Sequence, residues 1–314
     1  MNFDYLEFVK RQCKDTFCFD RLKYKYSSAS GIHTYTLTEA EDITLKYNEF
    51  FNEMTVKANF SYFFNGHNFQ SSIQDIINGL YYVSEAVASD MLTAHIKSFE
   101  YGTTLEIQHN CQEYISNHIS YNKNILQPFY KKNRLTGKVY DCKLLRFKIY
   151  DAGFRISTNI TKGIKTHLEK LYSYDRKKQY IRLENVIKQP EIYFMKRNIT
   201  MQNLISLEFR KQCKESLLEE YSKIKKASMV KIPEKKKDLN MAMIYLIQLQ
   251  EIAYSNGIDI EKQVSKLIKQ IPDSTLNTFD KKARKRQFKK HLNSIKQLST
   301  RYDLTEQLQA KGID

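Results

Sequence analysis

Two segments of this chain alternate so regularly that an extended conformation is the one that sorts their side chains. In Leu145–Asp151 (LRFKIYD), Leu145, Phe147 and Ile149 fall on one side of an extended chain and Arg146, Lys148 and Tyr150 on the other. Tyr180–Asn185 (YIRLEN) repeats the pattern, with Ile181 and Leu183 opposite Arg182 and Glu184. Both are predicted strands with one apolar and one charged face. Arg146, Lys148 and Arg182 suit contact with phosphates, and Glu184, a carboxylate among cations, stands where a metal ligand could.

The rest of the first half alternates predicted strands and helices. Arg21 to Tyr26 reads as a strand, followed by a Ser-rich loop ending at Gly31. Thr38 with Glu41 has the spacing of a capping box, so a helix is expected from there to about Asn52. Val56 to Phe64 is expected as a strand closed by Asn65-Gly66. Ser71 or Ser72 then caps a helix on which Ile73, Ile76, Ile77, Leu80 and Val83 share a face. A strand, or a hairpin bent at Gly102, spans His95 to Gln108. A basic aromatic loop covers 121–136, a strand 139–150, and a helix is centred near His167–Tyr172. The fold class expected is α+β, with strand-helix-strand halves sharing one antiparallel sheet and helices on one side of it.

From Met201 the pattern becomes helical, and the Lys-rich stretch around Pro233 marks a boundary between residues 1–225 and a basic helical domain, 226–314. Further helices are expected over 239–256, 260–270 and 279–298. Of the net charge of +16, the second segment holds 18 basic against 10 acidic side chains, or +8. A field of that sign attracts polyanions, and nucleic acid is the first partner to consider. On the helix near 280–292, Phe288, Leu292, Ile295 and Leu298 form a docking stripe. Lys281, Lys282, Arg284, Lys285 and Arg286 are left to meet DNA phosphates or simply solvent.

Several classes of protein are excluded. The five cysteines form no C-x-x-C pair and have no histidine at finger spacing, which argues against structural zinc; their odd number, with no signal-peptide pattern in the sequence, leads to the expectation of a reducing, cytoplasmic setting. No apolar run is long enough to span a membrane. There is no G-x-x-x-x-G-K-[ST], G-x-G-x-x-G or G-x-S-x-G motif. His67 has no second histidine at ligand spacing, and His95 and His109 read as hydrogen-bonded side chains at strand ends.

The order of the acidic and basic strands resembles the replication-initiation proteins of rolling-circle plasmids and phages, the Rep-trans and phage gene II-like group. There a K/R-x-Y-D-K-G strand precedes an R-x-E strand, matched here by Lys148–Gly153 and Arg182–Glu184, and an upstream E-x-G is matched by Glu100-Tyr101-Gly102. The segment Arg197–Leu204 is similar to the family's link into a helix. The likeness covers roughly residues 55 to 225, and Ala152 stands where the family has Lys.

The resemblance implies a duplicated strand-helix-strand unit and an origin-binding nickase and strand transferase. It implies Mg²⁺ or Mn²⁺ held by Glu100, Glu184 and Asp151, since hard cations prefer carboxylates. It also implies a tyrosine nucleophile, for which Tyr140 in Gly137–Tyr140 is the nearest match, with Tyr101 and Tyr150 as alternatives. Single- and double-stranded origin DNA, a host helicase and polymerase, and a second copy of the chain are the partners it brings. The alternative is a non-catalytic relative that binds DNA as a regulatory or accessory protein, consistent with Ala152. Carboxylates on strands are also commonly ion-paired, and a network of Glu184 with Arg182 or Arg146 is the plainer reading.

Overall fold

The computed structural model describes residues 2–13, 19–69, 72–159, 161–226, 244–246, 248–249, 260–296 and 302–312. In chain order the first elements are strands β1 (Asn2–Arg11), β2 (Leu22–Ser27), β3 (Ile32–Leu37), β4 (Ala40–Asn48) and β5 (Glu53–Ala58), then helices α1 (Phe60–Asn65) and α2 (Ile73–Ala86) and strand β6 (His95–Ile107). Next come α3 (Cys111–Asn117), β7 (His118–Tyr121), β8 (Asn124–Ile125), β9 (Gln127–Lys131), β10 (Arg134–Asp141), β11 (Leu145–Asp151), α4 (Ala152–Asn159), α5 (Lys162–Leu171) and β12 (Gln179–Ile187). The chain continues with α6 (Pro190–Tyr193), α7 (Met201–Ile205), α8 (Leu207–Ser222), β13 (Ile224–Lys226), α9 (Ile260–Gln270), α10 (Thr278–Lys296) and α11 (Thr305–Ala310). The fold is α+β with a large antiparallel sheet, as the alternation required. No helix among the described residues is long and apolar enough to cross a membrane.

The chain forms two compact units. One comprises residues 1–108, 141–220 and 307–314; the other comprises 109–140 and 221–306. The boundary expected at residue 225 lies within the second unit, which also takes in the segment 109–140. The Pro233 stretch and the helix expected over 239–256 fall mostly outside the described residues, as do Ser71, Cys18 and Leu298.

In the first unit the sheet runs β2-β3-β4-β5-β1-β6-β12-β11. Phe8, Leu45, Met54, Val56, Phe99, Tyr101, Phe147, Ile149, Ile181 and Leu183 are all buried on its apolar face. Each such side chain contributes about 1.5–3 kcal/mol on burial, and this layer fixes every register in the sheet, because a slip by one residue would exchange the faces. Helices lie against both faces rather than one. Tyr101, on the apolar face, donates to Ser216 Oγ of α8 at 2.9 Å, while Tyr150, on the polar face, accepts from Arg155 of α4 at 3.0 Å. Tyr150, Ala152, Ile156, Leu168, Tyr174, Tyr180 and Phe69 form a small second core over that polar face.

Local differences from the expected elements have clear causes. The helix expected from Thr38 to Asn52 is the second half of a β-hairpin, because Ile43 and Leu45 are buried at alternate positions and the segment pairs antiparallel with β3 and β5. Glu41 pairs with Lys23 at 2.8 Å and with Lys25 at 3.4 Å instead of closing a helix cap. The strand expected to reach Phe64 stops at Ala58, where Asn59 Oδ1 accepts from the Tyr62 backbone N–H and opens α1. Gly66 ends that helix at φ +68, a left-handed conformation that favours glycine. Ser72 caps α2 through a full capping box with Asp75. The strand expected over 139–150 is two strands, turned where the Cys142 N–H donates to the Leu145 carbonyl. The loop expected over 121–136 contains β8 and β9, the latter paired antiparallel with β10.

In the second unit, β7 is flanked by β8 and β13. His118 is fully buried: Nδ1 lies 2.6 Å from the Tyr114 carbonyl and Nε2 lies 2.9 Å from the Tyr221 hydroxyl. Burial pushes its pKa down to about 3, so the ring is neutral and Nδ1 carries the proton donated to the carbonyl. Lys138 is also buried and donates to the Ser116 and His118 carbonyls, and burial lowers its ammonium pKa to about 8.

A candidate carboxylate metal centre on the polar sheet face

Register alone brings the acidic strands together. Lys148 of β11 lies opposite Glu184 of β12, and Glu184 lies opposite Gly102 of β6, so these residues share the polar face with Glu100, Thr104, Tyr150 and Arg182. Gly102 is required by this approach: a Cβ there would sit 2.7 Å from Glu184 Cγ and collide with the Leu183 carbonyl oxygen. On β1, a bulge between Phe3 and Leu6 keeps both apolar residues on the apolar face and turns Asp4 toward the polar one.

Asp4, Glu100 and Glu184 each offer a carboxylate oxygen, and the three oxygens lie within 4.8 Å of one another. Arg182 is 1% exposed and cross-links two of the acids, with Nη2 at 2.6 Å from Asp4 Oδ2 and Nε at 2.6 Å from Glu184 Oε1. Its remaining nitrogen donates to Thr104 Oγ1 at 2.8 Å. Lys148 Nζ lies 2.8 Å from Glu100 Oε1 and 2.9 Å from Glu184 Oε2. Tyr150 donates to Glu184 Oε1 at 2.5 Å, and Asn68 donates to Asp4 Oδ2 at 3.1 Å.

Three carboxylates face two close cations, so they cannot all be ionised without strain. Burial, and then the Glu184 charge, push Glu100 up to about 8; burial, working against Arg182, pushes Asp4 up to about 7. Burial also opposes ionisation of Glu184, but the Lys148 and Arg182 charges outweigh it and hold this carboxyl well below the usual range. The Tyr150 phenol is driven well above its ordinary value by burial and by Glu184. The centre is therefore one fixed anion flanked by two acids that carry protons near neutrality.

The donor set fits a hard divalent cation. All three groups are carboxylates, and Asp4 Oδ1, on a side chain 2% exposed, has no hydrogen-bond partner. Of the metal ligands named from sequence, Glu100 and Glu184 are brought together. Asp151 is not part of the cluster: its parity puts it on the other side of the strand, where Oδ1 accepts from the Phe154 N–H and caps α4. Asp4 takes the third place. Its signal in the sequence is weak: Asp4 is an acid among the apolar residues Phe3, Leu6 and Phe8, whose spacing of three and then two breaks the strand period where the bulge falls.

The remaining candidates are dispersed. Tyr140 belongs to the second unit, half-buried, with its ring stacked on Tyr121 at 4.1 Å between centroids. Tyr101 is buried on the apolar face. Arg182, expected at a phosphate, is turned inward and spends its donors on Asp4, Glu184 and Thr104. Arg146 is half-exposed and grips Asp141 with two nitrogens at 2.6 and 2.8 Å. On α10, Lys282, Arg284 and Arg286 are exposed, Lys285 is half-buried, and Lys281 pairs with Asp273 at 2.5 Å. Leu292 docks this helix, with the Ile295 side chain and Leu298 outside the described set.

Fold and site together define an α+β protein whose antiparallel sheet carries a buried carboxylate cluster on its polar face. Among solved structures the chain is similar to a rolling circle replication initiator protein from Geobacillus stearothermophilus, with a TM-score of 0.39 and 8% identity, covering 79% of this chain and 95% of that one. No family model and no curated protein matches the chain.

Proposed function

We propose that the chain is a metal-dependent DNA nickase and strand transferase of the rolling-circle initiator type, with Asp4, Glu100 and Glu184 holding Mg²⁺ or Mn²⁺. The observation that carries this reading is the convergence of the E-x-G, K-x-Y-D and R-x-E segments on the adjacent strands β6, β11 and β12, their carboxylates Glu100 and Glu184 meeting on one face. A divalent cation held there would polarise the scissile phosphate and offset charge developing on its oxygens. Arg182 fixes the Asp4 and Glu184 carboxylates through buried ion pairs, and Gly102 leaves room for Glu184. In the reaction, a tyrosine oxygen forms a bond to phosphorus as the bond to the 3′ oxygen breaks, and the phenolic proton ends on the released 3′-hydroxyl.

Tyr140 is the proposed nucleophile, since it is half-exposed, whereas the Tyr150 hydroxyl is buried between Glu184 and Arg155. The basic segment 226–314, α10 above all, is proposed to hold duplex at an origin through phosphate contacts. Cytoplasmic action with a host helicase and polymerase, and association of two copies, belong to the same reading.

A second reading is favoured by one observation: Lys148 already bridges Glu100 and Glu184, as an internal cation would in a DNA-binding relative that does no chemistry. One experiment separates the two. Protein is incubated with Mn²⁺ and single-stranded origin-region oligonucleotides, denatured, and searched for a covalent adduct. The nickase reading expects an adduct that needs the metal, maps to Tyr140, and disappears in Glu100→Ala, Glu184→Ala and Tyr140→Phe. DNA binding without any adduct would leave the second reading; an adduct on Tyr150 would move the nucleophile.

A further inference from the structure

The oxygens of the acidic cluster are held in two different ways. Glu184 Oε1 is taken by Arg182 and Tyr150, and Asp4 Oδ2 by Arg182 and Asn68; these partners are buried or part-buried. Glu100 Oε1 and Glu184 Oε2 are held by Lys148, on a flexible stem whose side chain is 22% exposed. Arg182 has no route outward, whereas Lys148 can swing to solvent by rotating its own side chain.

Charge points the same way. A divalent ion that ligates all three acids displaces the protons of Asp4 and Glu100; in that ionised state Arg182 reduces their charge from −3 to −2, which the divalent cation would neutralise and Lys148 only halves. We infer that Lys148 is a displaceable counter-cation: a divalent ion takes Glu100 and Glu184 only as the Lys148 ammonium leaves them, so this residue sets the metal affinity of the site. The inference rests on the metal reading of the previous section and adds to it the residue that regulates loading.

The test is Mn²⁺ binding, measured by calorimetry or by the spin resonance of free Mn²⁺, on wild type, Lys148→Gln and Lys148→Arg. Removing the competing charge should make Lys148→Gln bind about tenfold more tightly than wild type, while Lys148→Arg does not gain. Lys148→Gln should also melt lower than wild type without metal and gain more from added Mn²⁺. A folded Lys148→Gln that binds Mn²⁺ no more tightly than a binding wild type overturns the inference and leaves the metal reading standing. No binding by either protein overturns both.

The wild-type chain gives a second measurement that needs no variant. Reductive methylation of Lys148, followed by mass spectrometry, should accelerate when Mg²⁺ is added, because the ammonium leaves its two carboxylates. An unchanged or slower rate at Lys148 in protein shown to bind the ion overturns the displacement.

Discussion

Gly102 faces Glu184 across the β6–β12 ladder, and the absence of a side chain on one is what gives the other its place. A methyl group at residue 102 would press on Glu184 Cγ at 2.7 Å and on the Leu183 carbonyl oxygen, which belongs to the paired backbone and cannot yield cheaply. Gly102→Ala should therefore cost about 1–3 kcal/mol of stability, as overpacking does in cores. It should also weaken Mn²⁺ binding by displacing Glu184. Denaturant unfolding and a metal titration check both; an unperturbed variant would mean that the strands part easily here.

Arg182 is the fixed charge of the centre. Its replacement by Met leaves Asp4 and Glu184 buried with one partner fewer each, and breaking a buried pair in this way costs about 3–5 kcal/mol. Unfolding of Arg182→Met should show that loss, and Asp4→Asn in the same background should recover part of it. A loss under about 1 kcal/mol would place the pair in an effectively solvated setting.

The pH dependence has a definite sign. Asp4 and Glu100 hold protons in the folded chain up to about 7 and about 8, whereas unfolded carboxyls release them near about 4. Between those limits the folded state binds more protons than the unfolded state, so their contribution to stability falls as pH rises. Glu184 acts oppositely: its depressed pKa adds stability above the unfolded value that is lost only as pH falls through its own low value. Without divalent ions, the melting temperature should decline from about pH 5 to about pH 8, less steeply in Asp4→Asn. Added Mg²⁺ should flatten the decline, since ligation replaces the protons. A melting temperature that climbs over this interval would contradict the assignment.

On α10, Lys282, Arg284 and Arg286 are exposed, and replacing them by Gln should lower duplex affinity alike for all sequences. Each phosphate left without its cation should reduce the slope of log affinity against log salt by about 0.9. Binding measured over a salt series checks this. An unchanged slope would make the helix a solvated surface, and a loss confined to one sequence would make it a base reader.

The sequence by itself determined the strands whose period is two and whose faces differ in polarity. Alternation at Leu145–Asp151 and Tyr180–Asn185 fixed which side chains share a face, and thereby that Arg182 and Glu184 lie together. That Arg182, Glu184 and Tyr150 are buried as fully as the apolar side chains opposite was decided by the helices packed over that face. The sequence did not separate strand from helix at Thr38–Asn52, because a capping-box spacing can arise by chance and only pairing with β3 and β5 made those residues extended. Nor could it choose among carboxylates. Glu100 and Glu184 meet because β6 and β12 are neighbours, and Asp4 joins them because a bulge in β1 re-aims one side chain. Asp151 has the same chemistry and a better motif, but strand parity turns it away to cap a helix. Periodicity is a local property that the chain carries in its residues; the company a charge keeps depends on strand order and register, which only the packed sheet decides.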